Sequence, residues 1–196
     1  MMQRNLVLAS ASPRRQALLR QVYIPFTVRV ANIDEAQITT IDPVEKVKQL
    51  ASLKGRKVEL RNKDEIILSA DTVVAFENQI FEKPKSKDEA RQMMTNLSGT
   101  THDVYTGVMI RSFEDEVVFV EKTEVTFWSL ALEEIEWYIN TDEPYDKAGG
   151  YGIQSLGAMY VKQIVGDYYN VVGLPLSKVV RELRNFRVFP RIVRKG

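Results

Sequence analysis

Ile66-Ile67-Leu68-Ser69-Ala70-Asp71-Thr72-Val73-Val74-Ala75-Phe76 is a β-branched apolar run broken once, by a carboxylate and a hydroxyl. Apolar residues on both sides of the break imply a strand covered on both faces. A carboxylate buried there without a partner is costly, so Asp71 belongs at the wall of a cleft. The competing reading is that it only bonds a turn or a helix cap. Three features elsewhere favour the cleft: the segment Ser10 to Arg15, Glu35 and Lys83.

A length of 196 residues suits one domain with a real core. With 27 Lys and Arg against 26 Asp and Glu, the net charge is +1. No general field therefore draws the chain to nucleic acid or an anionic membrane, and any anion site must be local. Cysteine is absent, which excludes disulfides, thiolate metal sites and a Cys nucleophile. His102 is the single histidine, so multi-histidine metal sites are excluded too. The apolar run Leu6 to Ala9 is too short for a signal peptide, no run approaches membrane-spanning length, and the expected location is the cytoplasm.

Leu6 to Ala9 reads as a short buried strand leading into Ser10-Ala11-Ser12-Pro13-Arg14-Arg15 and the helical pattern Gln16 to Arg20. Ser12 suits an N-cap and Pro13 a first helical residue. Two arginines in a first helical turn oppose the dipole, and a bound polyphosphate would explain them; ordinary capping with solvated arginines is the other reading. Ile24 to Val30 alternates as a second strand and delivers Glu35 into a loop. Glu35 matters if it faces Asp71, because two carboxylates and phosphate oxygens make a typical magnesium site. Asp42-Pro43 starts a helix to about Leu60 that carries Lys54, to which the pattern alone assigns no role. After Asp71, Glu77-Asn78 is a turn, and Lys83, held extended by Pro84, can reach phosphate or solvent. Ser86 to Glu89 reads as a capping box for a helix that stops at Ser98-Gly99.

His102 to Arg111 and Val117 to Phe127 predict a hairpin, with His102 a hydrogen-bonded turn residue rather than a catalytic base. Ser129 to Asn140 predicts an amphipathic helix whose Leu132, Ile135, Trp137, Tyr138 and Ile139 enter a core or an interface. Asp142 to Gly157 carries four glycines. Because Tyr151, Ile153 and Gln154 are not linker residues, the segment reads as a binding loop rather than a connector. Met159 to Ile164 and Tyr168 to Val172 predict a last hairpin about Gly166-Asp167. A closing helix from Pro175 to about Phe186 and a basic, frayed tail from about residue 188 complete the chain.

Leu8-Ala9-Ser10-Ala11-Ser12-Pro13-Arg14-Arg15, Ser69-Ala70-Asp71-Thr72-Val73-Val74, Glu82-Lys83-Pro84, Leu97-Ser98-Gly99, Asp146-Lys147-Ala148-Gly149-Gly150-Tyr151-Gly152-Ile153-Gln154 and Val172-Gly173-Leu174-Pro175-Leu176 together resemble the Maf family of nucleoside triphosphate pyrophosphatases. Each motif alone is weak, but six in order over nearly the whole chain are specific. The resemblance implies one Maf-like domain over 1–196 with a two-lobed α/β fold. Its sheet is expected to be mixed, strongly twisted and flanked by helices, similar to the inosine triphosphate pyrophosphatases, in a chain that is usually a homodimer. It further implies hydrolysis of nucleoside triphosphates to the monophosphate and pyrophosphate with a divalent metal cation, Mg or Mn. Carried over by position, Asp71 becomes the proton acceptor, and Glu35 a further acid that shares the metal with Asp71. Ser10, Ser12, Arg14, Arg15, Lys54 and Lys83 become substrate ligands. Arg14, Thr72 and Gln154 match residues that mark the branch acting on dTTP and UTP. Gly149, where relatives often have Ala, and Ser155, where they often have Gly, depart from the pattern.

These residue types fit the chemistry. A triphosphate carries about four negative charges, and attack by water at phosphorus spreads more onto the oxygens, so positioned cations and a metal supply most of the stabilisation. With no Cys and His102 set aside, a carboxylate must position the water, and Asp71 is the candidate. Two other readings remain: a house-cleaning pyrophosphatase directed at modified bases, and a nucleotide-binding regulator of septum formation and cell division with little turnover.

Overall fold

The computed structural model describes residues 3–30 and 32–191. β1 (Asn5–Leu8), β2 (Phe26–Val28) and β3 (Glu65–Phe76) run parallel. They do so because a helix crosses over between each sequential pair, α1 (Pro13–Gln21) from β1 to β2 and α2 (Pro43–Lys57) from β2 to β3. From β3 onward the chain doubles back. β4 (Gln79–Phe81) pairs antiparallel with the end of β3 across Glu77 and Asn78, whose φ values of 48° and 64° give the left-handed pair of a type I′ turn. β5 (Thr101–Arg111), β6 (Glu116–Phe127) and β7 (Val161–Val165) follow as antiparallel neighbours. The mixed sheet has seven strands in the order β2-β1-β3-β5-β6-β7, with β4 on β3.

The long strands β3, β5 and β6 pass under two separate hydrophobic cores on one face. The first packs Leu6, Leu8, Ile66, Leu68, Val108 and Ile110 under α1 and α6 (Leu176–Asn185). The second packs Val74, Val104, Val125 and Phe127 under α3 (Lys87–Leu97), α4 (Leu132–Ile139) and the loop at Tyr151. Between them lies a buried polar seam, in which Thr72 Oγ1 and Thr106 Oγ1 are 2.9 Å apart and Thr106 donates to Asn170 O at 3.1 Å. That seam divides the two lobes. On the opposite face α2 lies across β3 and β5, with Val47, Ala51 and Gly55 as its sheet-facing stripe. Ser69 Oγ donates to Ala51 O at 2.7 Å. Gly107 lets the helix come this close, for a Cβ there would stand 2.3 Å from Val47 O.

Several expectations are corrected. α2 ends at Lys57, and Val58 instead packs with Val7 and Ile67. The capping box at Ser86 is half made: Ser86 Oγ accepts from Glu89 N, but the Glu89 carboxylate accepts from Lys85 N. His102 lies inside β5 and is buried rather than at a turn. Tyr168 to Val172 is not a strand but the short helix α5 (Tyr168–Val172), because the Asp167 carboxylate caps Tyr169 N at 2.8 Å and Gly173, at φ 119°, ends the turn. β7 therefore pairs with β6 alone among the described residues. Leu132 and Trp137 point outward on α4, 63 % and 52 % exposed, so neither belongs to the core. The tail is docked through Arg191, whose N–H donates to Tyr23 O at 2.8 Å, and Val188 is buried. Met1, Met2, Ala31 and the last five residues of the basic tail lie outside the described residues.

Candidate active site

On one edge of β3, β1 pairs with Glu65 to Leu68 and β4 with Val74 to Phe76. Between these two pairings no strand among the described residues meets that edge, and Asp71 lies in the interval. The gap follows from the sequence: β1 runs out into the Ser10 to Ser12 cap of α1, and β4 into Lys83-Pro84, which cannot continue a ladder. The result is a cleft of about 780 Å³ with Asp71 on its wall. Six cationic and four anionic side chains line it, so the local field is positive in a chain that is nearly neutral.

On the α2 side, Lys54 Nζ stands 2.9 Å from Glu35 Oε1 and also hydrogen-bonds Asp71 Oδ1. Asp71 is 8 % exposed, so this ammonium is what neutralises a carboxylate drawn from water. Close packing of α2 on Gly107 and Ser69 sets the position of Lys54. Glu35 opens a 3₁₀ turn, Glu35–Gln37, that Asp34 caps by accepting from Ala36 N at 3.1 Å. Lys46 fixes the same segment by donating to Ile38 O at 2.8 Å while pairing with Glu82 at 3.1 Å, tying the Glu35 loop to the exit of β4.

On the other face, Arg15 donates from Nε to Gly173 O at 2.7 Å and reaches Ser10 Oγ at 3.2 Å and Thr72 Oγ1 at 3.1 Å. Burial lowers the Arg15 pKa and the charge of Asp71 works against that, but an arginine stays protonated throughout. Ser12 caps α1 by accepting from Arg15 N at 3.5 Å, as its place before Pro13 predicts. Ser10 Oγ accepts from Ser12 N. Arg14 pairs with Asp146 at 2.9 Å, linking the start of α1 to the glycine-rich segment. Burial pushes the Asp146 carboxyl up, but hydrogen bonds from Lys147 and Arg14 outweigh it and hold the pKa below its ordinary value. Lys83 and Gln154 line the cleft as exposed side chains.

The glycine-rich segment folds as tight turns against the second core. Gly149 takes φ +70° with Val74 Cγ2 only 2.7 Å from where a Cβ would lie, so its departure from Ala fits this packing. Ser155, the other departure, donates to Glu143 Oε1 at 2.5 Å. His102 is not in the cleft. Its Nε2 meets Tyr151 Oη at 2.8 Å beneath the segment, and burial lowers its pKa to about 4, so it is neutral and supports Tyr151, which lines the cleft.

A family model for Maf-like protein matches residues 5–186. The chain belongs to the Maf family. Among Maf relatives, it is 48 % identical over 185 residues to the dTTP/UTP pyrophosphatase of Bacillus cereus, covering 94 % of this chain and 97 % of that one. The dTTP/UTP pyrophosphatases of a second Bacillus cereus strain and of Bacillus anthracis are 49 % and 48 % identical with the same coverage. Among solved structures, the Ham1 protein of Staphylococcus aureus aligns with TM-score 0.45 and 14 % identity over 63 % of this chain and 71 % of that one. A HAM1 protein from Coxiella burnetii aligns with TM-score 0.43 and 18 % identity over 64 % and 73 %.

All ten residues that the Maf resemblance singles out line this one cleft: Ser10, Ser12, Arg14, Arg15, Glu35, Lys54, Asp71, Thr72, Lys83 and Gln154. Sequence reasoning gave no part to Lys46, Asp146 or Lys147. The charges opening the glycine-rich segment were the available signal for the last two. No helix among the described residues is long and apolar enough to cross a membrane.

Proposed function

We propose that this Maf protein is a nucleotide diphosphatase that hydrolyses dTTP and UTP to the monophosphate and pyrophosphate. The observation that carries the reading is Lys54 bridging Glu35 and Asp71 at the gap in the sheet, beside Arg14 and Arg15 and within the same cleft as Gln154. Two carboxylates beside a set of cations suit hydrolysis of a polyanion better than binding alone, for which the carboxylates would only repel the ligand. The dTTP/UTP pyrophosphatases that are about half identical over almost the full length support the substrate class.

In this reading Arg14, Arg15, Lys54 and Lys83 hold the phosphates, and Ser10 and Ser12 add hydroxyl and backbone donors at the start of α1. Asp71 orients the attacking water and accepts its proton, Thr72 keeps Arg15 aimed, and Gln154 meets the base. Glu35 and Asp71 also fit a hard divalent cation, Mg or Mn. They are two oxygen donors on one ammonium, and no cluster of three or more acidic or histidine ligands exists among the described residues, so phosphate oxygens would complete the shell. Such a cation, when bound, would neutralise phosphate charge and polarise water. The cytoplasm, where nucleotides are made and used, is the proposed location. A homodimer is the proposed state, for which the exposed Trp128, Leu132, Trp137 and Met159 offer apolar surface.

Pyrophosphate release measured across a nucleotide panel, with magnesium or manganese, tests the reading. Release from dTTP and UTP above the purine nucleotides is expected. Tight nucleotide binding without release would leave a regulator instead.

A further inference from the structure

Resting on the reading of dTTP and UTP as substrates, we infer that Lys147 reads the base, donating a hydrogen bond to O4 of uracil or thymine and so turning cytosine away. Gln154 alone does not give that choice. Its amide offers a donor and an acceptor that exchange on a flip, so it pairs as readily with the amino edge of cytosine as with the carbonyl edge of uracil. A selective site needs a group that cannot reverse its role. An ammonium carries three donors and no acceptor, and it cannot be turned to accept from the cytosine 4-amino group.

Lys147 is also the lysine of the glycine-rich segment that is held in place. Its Nζ donates to Glu143 O at 2.8 Å and to Asp146 Oδ1 at 2.5 Å, which leaves the third hydrogen without an acceptor among the described residues. Arg14 holds the other oxygen of the same carboxylate at 2.9 Å, so the anchor of Lys147 is itself anchored. The lysine stem lies across Gly152, where a Cβ would come within 2.6 Å of Lys147 Cε and 2.8 Å of Cδ. The side chain is 12 % exposed, whereas Lys83 and Lys85 across the cleft are exposed. Gly152, Gln154 and Lys147 line the same cleft. A fixed donor and a reversible amide in one turn of chain supply the two contacts that single out a 4-oxo pyrimidine. A site built to donate to a substrate oxygen discriminates strongly against an analogue lacking it, because its own donor is left unpaired.

The test compares kcat/KM for UTP, dTTP, CTP and 4-deoxyuridine triphosphate, which lacks O4 and with it the N3 hydrogen, in the wild-type protein and in Lys147→Met, with melting temperature as the folding control. Wild-type protein should favour UTP over both CTP and the 4-deoxy analogue. In Lys147→Met the ratio of UTP to CTP should fall about tenfold or more, mostly through KM, and the penalty for removing O4 should shrink by a similar factor. Equal losses on UTP and CTP would overturn the inference, since a lysine that only held phosphate or shaped the loop would act on both alike. Should Lys147→Met not fold, Lys147→Gln, whose amide can turn to accept, takes its place, and an unchanged ratio of UTP to CTP in it, or equal use of UTP and its 4-deoxy analogue by the wild type, would overturn the inference. Wild-type protein that hydrolyses neither UTP nor dTTP would defeat the reading of function and this inference with it.

Discussion

Gly107 stands opposite Asp71 in the β3–β5 ladder, and Gly107→Ala, which adds one methyl group on the α2 face, should cost both stability and rate. The new Cβ would lie 2.3 Å from Val47 O, 2.5 Å from Val47 C and 2.9 Å from Lys48 N, all backbone atoms of α2 that no rotamer change can move. Relieving the contact requires α2 to lift by about 1 Å, since ordinary contacts begin near 3.3 Å or beyond. Overpacking of this kind costs roughly 1–3 kcal/mol. For a domain of this size that lowers Tm by about 2–12 °C, at roughly 2–4 °C per kcal/mol. The lift also draws Lys54 away from Glu35 and Asp71, and a displacement of about 1 Å in a positioned group can lower kcat/KM roughly a hundredfold. Thermal unfolding and pyrophosphate release, measured on the same sample below Tm, check both parts. A variant with unchanged Tm and rate would refute the claim that α2 is set by backbone contact at Gly107. A drop in Tm alone would refute its link to Lys54.

Asp71→Asn is nearly isosteric and should leave fold and nucleotide binding intact while lowering kcat by roughly a hundredfold or more, as single-turnover assays with equilibrium binding would show. Gln154→Ala should erode discrimination among bases more than it slows the best substrate; steady-state kinetics on dTTP, UTP, CTP and GTP would disprove this if the preference survived whole. His102 predicts a pH effect on stability. Its pKa in the folded protein is lowered to about 4, below the unfolded value near 6.5, so it favours the fold fully above pH 6.5 and loses that contribution as pH falls towards 4. The loss should reach about 2 kcal/mol at pH 5. His102→Gln, compared with wild type by chemical denaturation at pH 7 and pH 5, should show a smaller drop, and an equal drop would mean His102 is not the group responsible.

What was legible in the sequence was local. The break at Asp71, the Ser12-Pro13 cap, the Glu77-Asn78 turn and the β5–β6 hairpin are written in periodicity and turn chemistry, and each forms as those rules require. What was hidden depends on packing across long stretches of sequence. Lys54 looks like any solvated helix lysine, and only the approach of α2 to Gly107 brings it to two carboxylates. Tyr168 to Val172 has strand composition, but the cap at Asp167 and the left-handed Gly173 override that propensity. Trp137 and Leu132 match an apolar stripe by spacing and still face outward, because Ile135, Tyr138 and Ile139 already fill the contact with α3 and the loop. The part of Lys147 depends on Gly152 leaving room for its stem, a relation that spacing does not reveal.

In the proposed reaction, water held by Asp71 attacks the α-phosphorus while pyrophosphate departs with its charge held by Arg14, Arg15 and the lysines. Turnover of dTTP in oxygen-18 water follows the new oxygen, which comes from solvent when Asp71 directs water to phosphorus rather than attacking it itself. Mass spectrometry should find the heavy oxygen on the monophosphate and none on pyrophosphate. Label in the pyrophosphate, or inorganic phosphate with nucleoside diphosphate as first products, would contradict it.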